Sequence, residues 1–544
     1  MTKVPGLATG PSRARPVALP RGTGTSQPAL QWVMVIVASL MLCLAALANR
    51  QAFFFPDSTA HLRGAEMGLT KVLGERFRTA FSDVGAGKPI VSAEPTPMPA
   101  PPAAASGPVV VAKGSLNTPD SKVVIAGRSV YYGALMYLGY VTSDLWLTVI
   151  VQALAVAYVL HLLMVRLWRQ PPGLYLATVA GLVLLTPVSG FVGLMMPDIF
   201  APLTILCTGT LVLYWRQLRV ADRWLLGFIV FAALVSHATH ILLAMAGLVI
   251  GLVAWRWARP MWKPAMPAML LVLVMVGAAF GAEWVFNKAV VKAIGEPPLR
   301  LPFLIARAVD VGPGTAFLKA TCPGSGYTAC KWVQNYPTYW EDFMFSYDPA
   351  RGAFALASPE DKRRISAEQF RFFLDVLRFD PLGTLGTMLR GGVEQLVDFR
   401  MHIFRYAPQD YADYAARLPA PMYERLKNAV IAGHPEVSVA WQWVSYASAI
   451  GGLVACIAYL RRRPRPQARA AGNGLAPDDL SRLRGLCLYV AICVVVNAAA
   501  CGVLASPYDR FQARVVWLIP FIAIALWSAG LARSARVQST EKTE

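Results

Sequence analysis

Long apolar runs recur along the whole chain, and they constrain its fold more than any other feature. Hydrophobic residues make up 56% of the 544 residues and charged residues only 15%, whereas soluble domains carry about 25% charged residues. A helix needs about 20 apolar residues to cross a bilayer. The chain is therefore predicted to be an all-α, polytopic integral membrane protein with about ten transmembrane helices. The predicted spans are 29–49, 145–165, 174–190, 198–214, 224–236, 240–254, 266–286, 437–460, 485–504 and 514–530.

Several of these runs are shorter than a straight span requires. The apolar stretches 174–214 and 224–254 are therefore predicted to form paired helices that turn near one membrane face. At the end of span 1, Ala46-Leu47-Ala48 resembles a signal-peptide cleavage site. The preceding tail is long for a signal peptide, so a retained helix is favoured.

Basic residues follow every second predicted span. They lie in the N-terminal tail and after spans 2, 4, 6, 8 and 10, and RRRPRPQAR at 461–469 is the densest group. Because Lys and Arg mark the cytoplasmic side of a membrane protein, the tails 1–28 and 531–544 are both predicted to be cytoplasmic. Topology also accounts for much of the net charge of +20. No nucleic-acid partner is expected, since no basic face or known motif accompanies the charge.

With this orientation, two long segments face outward, residues 50–144 and 287–436. The transmembrane helices lie in 29–286, which includes the first outward segment, and in 437–530. Residues 53–81 alternate apolar and charged side chains at a helical period, which predicts a helix in the membrane interface. The stretch AEPTPMPAPPAAASGP at 93–108 is predicted to be flexible.

The second outward segment is predicted to be a small helical subdomain. Ser358, followed by a proline and two acids, is typical of a helix start, and Asp380-Pro381 separates that helix from the next. Cys322 and Cys330 flank a short, turn-rich spacer in an oxidising compartment, which predicts a disulfide; a metal pair is the alternative. The six other cysteines lie in spans and are predicted to be packing residues.

Four turns are predicted to bring polar side chains to one outer membrane surface. Charges at membrane depth are usually functional or paired. A carboxylate there would accept a proton from a hydroxyl, and arginines and imidazoles would bind a phosphate. The set suits group transfer from a lipid phosphate to a hydroxyl. Its members are Asp57 after span 1, Asp198 between spans 3 and 4, His237 and His240 between spans 5 and 6, and Arg510 and Arg514 between spans 9 and 10.

Four stretches resemble the GT-C-type glycosyltransferases, which are polytopic membrane enzymes that use polyprenyl-phosphate sugars. FFPDSTAHL and MMPDIFAPL look like the two acidic outer loops of that superfamily. GRSVYYGALMYLGY is similar to the segment before the second span in bacterial members, and SPYDRFQARVVWLIPFIAIAL resembles the final arginine-bearing turn and span. The resemblance covers residues 29–286 and 485–530. The chain departs from the pattern in having a single aspartate in its first loop and in its Pro/Ala-rich insert.

The resemblance implies an enzyme of the bacterial inner membrane. It would move a sugar from a polyprenyl-phosphate carrier to a hydroxyl on an envelope glycan, lipid or protein, with inversion at the anomeric carbon. Asp57 would be the general base, and Asp198 would orient the acceptor or bind a divalent cation, Mg²⁺ or Mn²⁺. Arg510 would contact the donor phosphate. His237, His240 and Arg514 join it as phosphate ligands on topology alone.

Structural roles are the alternative for each of these residues. Both aspartates would cap the helices that follow them, the histidines would be satisfied polar groups at a helix junction, and the arginines would be interfacial anchors. Two other functions are also open. One is a transporter or flippase of a lipid-linked or small anionic substrate, although no internal repeat is visible. The other is a non-catalytic membrane scaffold whose outward domain binds partners.

Overall fold

The computed structural model confirms that the chain is all-α over its described residues, which are 28–84, 122–257, 265–461 and 477–540. Within them, strand-like pairing is limited to two isolated bridges. Three predicted features fall outside this part of the chain: most of the basic N-terminal tail, the Pro/Ala-rich stretch 93–108, and the basic residues 462–469.

The helices form three consecutive groups. The first group is α1 (Pro28–Leu42), α2 (Leu44–Ala48), α3 (Ser58–Leu73), α4 (Ala80–Asp83), α5 (Val130–Ser143), α6 (Trp146–His161), α7 (Pro172–Leu185), α8 (Val188–Gly193), α9 (Phe200–Tyr214), α10 (Val220–Ser236), α11 (Ala238–Trp257) and α12 (Met266–Ile294). The second is α13 (Phe303–Asp310), α14 (Pro313–Thr321), α15 (Trp340–Phe345), α16 (Pro359–Phe379), α17 (Pro381–Val397), α18 (Pro408–Ala415), α19 (Ala420–Lys427) and α20 (Val430–Gly433). The third is α21 (Pro435–Arg461), α22 (Pro477–Leu504), α23 (Asp509–Val516) and α24 (Leu518–Thr540).

Six of the described helices are long and apolar enough to cross a membrane. Three of them are α12, α21 and α22. The other three are α6, α9 and the pair α23–α24, which are long enough when the adjoining helical turns are included. Three shorter apolar helices, α1, α7 and α11, accompany them. Each predicted span is helical over most of its length. The count of about ten crossings and their orientation stay predictions.

Prolines divide the apolar stretch 174–214 into separate helices. Pro187 precedes α8, and Pro197 begins a 3-10 turn, Pro197–Ile199, that leads into α9. Proline supplies no N–H for a helical hydrogen bond, so the chain turns here instead of forming one long helix. Asp198 lies in this turn, between α7 and α9 as predicted.

A short backbone pairing brings the first turn of the molecule to the Asp198 turn. The Phe53 N–H donates to the Gly193 carbonyl at 2.9 Å, and the Met195 N–H donates to the Phe53 carbonyl at 2.9 Å. From α6, the buried Gln152 amide donates to the Leu194 carbonyl at 3.3 Å. Residues 53–57 therefore run beside residues 193–198, although the sequence separates them widely.

Helices α13–α16 of the second group share a hydrophobic core of their own, with buried aromatic side chains such as Phe343, Phe354 and Phe372. The sulfurs of Cys322 and Cys330 are bonded to each other at 2.03 Å. Ser358 caps α16 by accepting from the Asp361 N–H at 3.1 Å. Asp380 caps α17 in the same way, so both predicted helix starts are confirmed.

Helix α17 joins this second group to the membrane helices. Gly391 lies so close to Gly502 on α22 that a side-chain carbon at either position would collide with the carbonyl oxygen of the other. One turn further along, the Gln395 side-chain amide donates to the Tyr508 carbonyl at 2.9 Å and accepts from the Tyr508 N–H at 2.8 Å. The backbone just before Arg510 is thereby fixed to α17.

Candidate functional site

Asp198 is buried, with 2% of its surface exposed, although it lies in the predicted turn. A position in a turn therefore does not expose this carboxylate to water. Two arginines of α23 compensate its charge: Arg514 Nη1 lies 3.3 Å and Arg510 Nε 3.5 Å from the same oxygen, Oδ1. A buried charge is tolerated only when it is paired. Asp198 makes no capping hydrogen bond to α9.

Arg514 is anchored by protein groups. Its side chain is 1% exposed. Besides Asp198, it donates to Thr239 Oγ1 and to Asn497 Oδ1, each at 3.2 Å. Asn497 is itself held on α22 by donating to the Phe511 carbonyl at 2.7 Å. Most of the donors of Arg514 are therefore used within the protein, which makes it a structural counter-ion.

Arg510 is equally buried but much less satisfied. Its guanidinium carbon lies 4.2 Å from the centre of the Phe55 ring and 5.1 Å from that of Phe511. Nε and Nη1 are buried and have no hydrogen-bond partner within the described residues. Leaving such donors unpaired is costly. Nε still lies 3.5 Å from Asp198 Oδ1, so Nη1 is the nitrogen that remains available to donate to an anion.

Asp57 keeps 27% of its side chain exposed and accepts an ion-paired hydrogen bond from Arg128 at 2.7 Å. It occupies the N-cap position of α3 but makes no side-chain capping bond there. Burial acts to raise the pKa of this carboxyl, but the positive charges of Arg128 and Arg510 outweigh it and lower the pKa below its ordinary value. Asp57 therefore stays ionised at neutral pH.

Arg510 connects the two aspartates, because it lies 3.5 Å from Asp198 and its charge also acts on Asp57. His61 on α3 is near both carboxylates as well. Its Nδ1 donates to the Ser129 carbonyl at 3.1 Å, and burial, with a contribution from Arg128, lowers its pKa to about 4. It is thus neutral at pH 7. We name Asp57, Asp198, Arg510 and Arg514 the charged cluster.

His237 and His240 lie at the edge of the charged cluster, with ring centres 5.4 Å apart. His240 is fully buried and donates from Nδ1 to the Ala233 carbonyl at 2.7 Å. His237 contacts Thr239 Oγ1 at 2.8 Å, and the same hydroxyl accepts from Arg514. His237 is thus connected to the charged cluster through Thr239. This connection leads to Arg514 and not to Arg510.

The donor set does not fit a divalent cation. A metal site needs several ligand atoms from His, Cys, Asp or Glu, and no group of three or more such residues is positioned for one in the part of the chain that the structure describes. Asp57 and Asp198 each have an arginine as their nearest charged partner. Guanidinium groups already occupy the positions that a cation would take.

Several residues of the site were missed by the sequence analysis. Arg128 lies just before α5 in GRSVYYGALMYLGY, one of the stretches that carry the family resemblance, but no role was predicted for it. Asp509, which the sequence places in the same outer turn as Arg510 and Arg514, had been given no role; it accepts from the His402 N–H at 3.1 Å and lies 3.0 Å from His402 Nδ1. Glu341 on α15 has a raised pKa, caused by burial first and then by the charges of Asp342 and Asp57. The contacts that bring these residues to the site join positions far apart in the sequence, so no local pattern indicates them.

Comparisons of the chain with models of protein families, with curated proteins and with solved structures find no match.

Proposed function

We propose that the protein is a membrane glycosyltransferase that moves a sugar from a polyprenyl-phosphate carrier to a hydroxyl acceptor. The observation that carries the proposal is Arg510. It is a buried guanidinium that lies over the Phe55 ring and between two carboxylates; Nε pairs with Asp198, and Nη1 has no hydrogen-bond partner among the described residues. Arginine suits the recognition of phosphate, because its planar donors match phosphate oxygens.

The proposed reaction is a direct displacement at the anomeric carbon. The acceptor oxygen forms a bond to that carbon, and the bond from the carbon to the phosphate oxygen breaks. Its electron pair leaves with polyprenyl phosphate, whose growing negative charge is stabilised by Arg510. The acceptor proton passes to Asp57, which is the exposed, ionised carboxylate of the cluster. The product sugar has the inverted anomeric configuration.

The contacts divide the other residues by role. Asp198 does not face the acceptor, since it is buried against Arg510 and Arg514. Its role in this proposal is to hold the two arginines in place. Arg128 keeps Asp57 ionised and orients it at 2.7 Å. The nearly full exclusion of water around Arg510 strengthens its attraction for the phosphate.

Reconstitution with radiolabelled polyprenyl-phosphate sugars tests this function. We expect transfer by the wild type and its loss in Asp57→Asn. A matched control is Asp222→Asn, which removes another buried aspartate charge at the opposite end of α9 and should retain transfer per folded molecule. Full transfer by folded Asp57→Asn would overturn the assignment of the base. Transfer lost equally in Asp222→Asn would show that the loss reflects general damage to the fold.

A further inference from the structure

A cleft of about 470 Å³ lies next to the charged cluster, between the second group of helices and the turn before α23. Its volume falls within the range of about 300–1,000 Å³ that is usual for ligand pockets. The side chains that matter for its chemistry are Asp310, Tyr339, Trp340, Glu394, Asp398 and Arg400. Ser506 and Pro507 also line it, and they lie directly before the Tyr508–Arg510 stretch.

The charges that line the cleft are balanced in pairs. Arg400 lies 2.8 Å from Asp398 through Nε and 2.8 Å through Nη2. Glu394 accepts from Arg390 at 2.8 Å, and Asp310 lies 3.7 Å from Arg307. A cleft with paired charges presents many donors and acceptors but little net field, so it offers no advantage to a strongly charged ligand.

Two aromatic side chains lie together at the cleft. Tyr339 is 50% exposed, and its ring centre is 5.9 Å from that of Trp340. Arg307 Nε is buried and has no hydrogen-bond partner in the described part of the chain. An aromatic surface beside polar groups suits a ligand with both an apolar face and hydrogen-bonding edges.

We infer that this cleft binds a neutral carbohydrate chain, which is the acceptor glycan of the proposed transfer; the inference rests on the proposed function. A pyranose ring has an apolar C–H face that packs on Tyr339 or Trp340. Its hydroxyls both donate and accept, so they can bind the paired carboxylates and guanidiniums without disturbing the charge balance. A phosphorylated or uronic acid chain would add unpaired negative charge to the three carboxylates already present.

Aromatic side chains connect the cleft to Arg510, whose charge acts on the proposed base. The Trp340 and Tyr508 ring centres are 6.4 Å apart, and the Arg510 guanidinium carbon lies 5.7 Å from the Tyr508 ring centre. Glu341, next to Trp340, is close enough for the charges of Asp57 and Arg510 to act on its carboxyl. A glycan held on Tyr339 and Trp340 would thus place a terminal hydroxyl toward Asp57.

Calorimetric titration of the purified full-length protein with neutral tetrasaccharides tests the inference. The probes are maltotetraose, cellotetraose, mannotetraose and chitotetraose, and tetragalacturonate is the charged comparison. We expect at least one neutral probe to bind, and its affinity to fall about tenfold in Tyr339→Ala and in Arg400→Gln. The control Phe370→Ala removes an aromatic side chain that is 65% exposed on α16 and does not line the cleft; it should bind as the wild type does.

The inference is overturned if no neutral probe binds, if tetragalacturonate binds more tightly than all of them, or if folded Tyr339→Ala and Arg400→Gln both bind unchanged. The titration contains no sugar donor, so it measures glycan binding independently of transfer. Failure of the proposed function appears instead as absent transfer with intact tetrasaccharide binding, so the two failures are distinguishable. Unfolding temperatures of the variants establish that each is folded.

Discussion

Two buried aspartates lie at opposite ends of α9, and their surroundings differ. Asp222 receives two hydrogen bonds from Arg166, at 2.7 and 2.6 Å, one from the Tyr158 hydroxyl at 2.7 Å and one from the Arg219 N–H at 3.1 Å. Within the described residues, the charged partners of Asp198 are Arg514 and Arg510, at the longer distances of 3.3 and 3.5 Å.

The difference distinguishes a structural ion pair from one that is open to a ligand. Around Asp222 the short bonds satisfy the carboxylate from every side, so nothing remains for a substrate. Around Asp198 the carboxylate is shared by two arginines, and Arg510 retains a buried donor, Nη1, without a hydrogen-bond partner among the described residues. Burial alone is therefore a weak guide to function; the satisfaction of the buried donors is more informative.

The largest difference between the two aspartates should appear when one arginine partner of each is replaced. Arg510→Gln is expected to lower the transfer rate about 10²–10³-fold, which is the usual cost of losing one donor to a developing anion. Arg166→Gln should leave the rate per folded molecule nearly unchanged. Transfer assays on detergent-purified variants, normalised to folded protein, measure both. Equal losses in the two variants would remove the distinction between the two ends of α9.

For the free energy of unfolding, the larger effect is expected at Asp222 and the smaller one in the charged cluster. Asp222→Asn disrupts a fully bonded buried pair and leaves Arg166 without its counter-charge, which is expected to cost about 3–5 kcal/mol of unfolding free energy. Asp57→Asn should cost less, since its side chain is 27% exposed whereas that of Asp222 is 6% exposed, and water compensates a partly exposed charge better than a buried one. Denaturant unfolding of both variants makes the comparison. A larger loss in Asp57→Asn would contradict the assignment of Asp222 as the structural partner.

Arg128→Gln should change the pH dependence of transfer. In the wild type the pKa of Asp57 is lowered, so its carboxylate persists, and its stabilising effect is retained, until the pH falls below the ordinary aspartate range. Without Arg128, the charge of Arg510 alone opposes burial, so the pKa of Asp57 should rise. The rate of the variant should therefore begin to fall at a higher pH than that of the wild type as the solution is acidified, because protonated Asp57 cannot act as a base. Parallel pH–rate profiles for the two proteins would disprove this electrostatic coupling.

The smallest predicted effect concerns Gln395, which bonds both backbone groups of Tyr508. Gln395→Ala leaves two buried backbone groups unpaired, at a cost of about 1–3 kcal/mol each, and loosens the turn that carries Arg510. We expect a transfer rate reduced a few-fold, with a higher KM for the donor. Gln334→Ala, at an exposed position, is the control. An unchanged donor KM in folded Gln395→Ala would exclude this positioning role.

Local patterns in the sequence predicted much of the fold. The apolar runs located the helices, and the caps at Ser358 and Asp380 depend on neighbouring residues only. The short spacer between Cys322 and Cys330 likewise indicated their bond. Proline positions around Asp198 indicated a turn, because a proline interrupts helical hydrogen bonding wherever it occurs.

The charged cluster depends on contacts that no local pattern encodes. The pairing of Phe53 with Gly193 and Met195 brings Asp57 toward Asp198, and the close approach of Gly391 to Gly502 positions α17 over the turn before Arg510. The burial of Asp198 was not predicted for the same reason. The pattern of basic residues predicts on which side of the membrane the Asp198 turn lies. The packing of α23 against this turn decides how deeply the Asp198 side chain is buried.

Binding of polyprenyl phosphate, the proposed leaving product, tests the central claim most directly. The measurement is a titration of wild type, Arg510→Gln and Asp222→Asn, each verified as folded, with the short-chain lipid in detergent. We predict that wild type and Asp222→Asn bind with similar Kd values and that Arg510→Gln binds at least about tenfold more weakly. Equal affinity of Arg510→Gln and wild type would contradict the account, since the unsatisfied donor of Arg510 would then have no part in holding the phosphate.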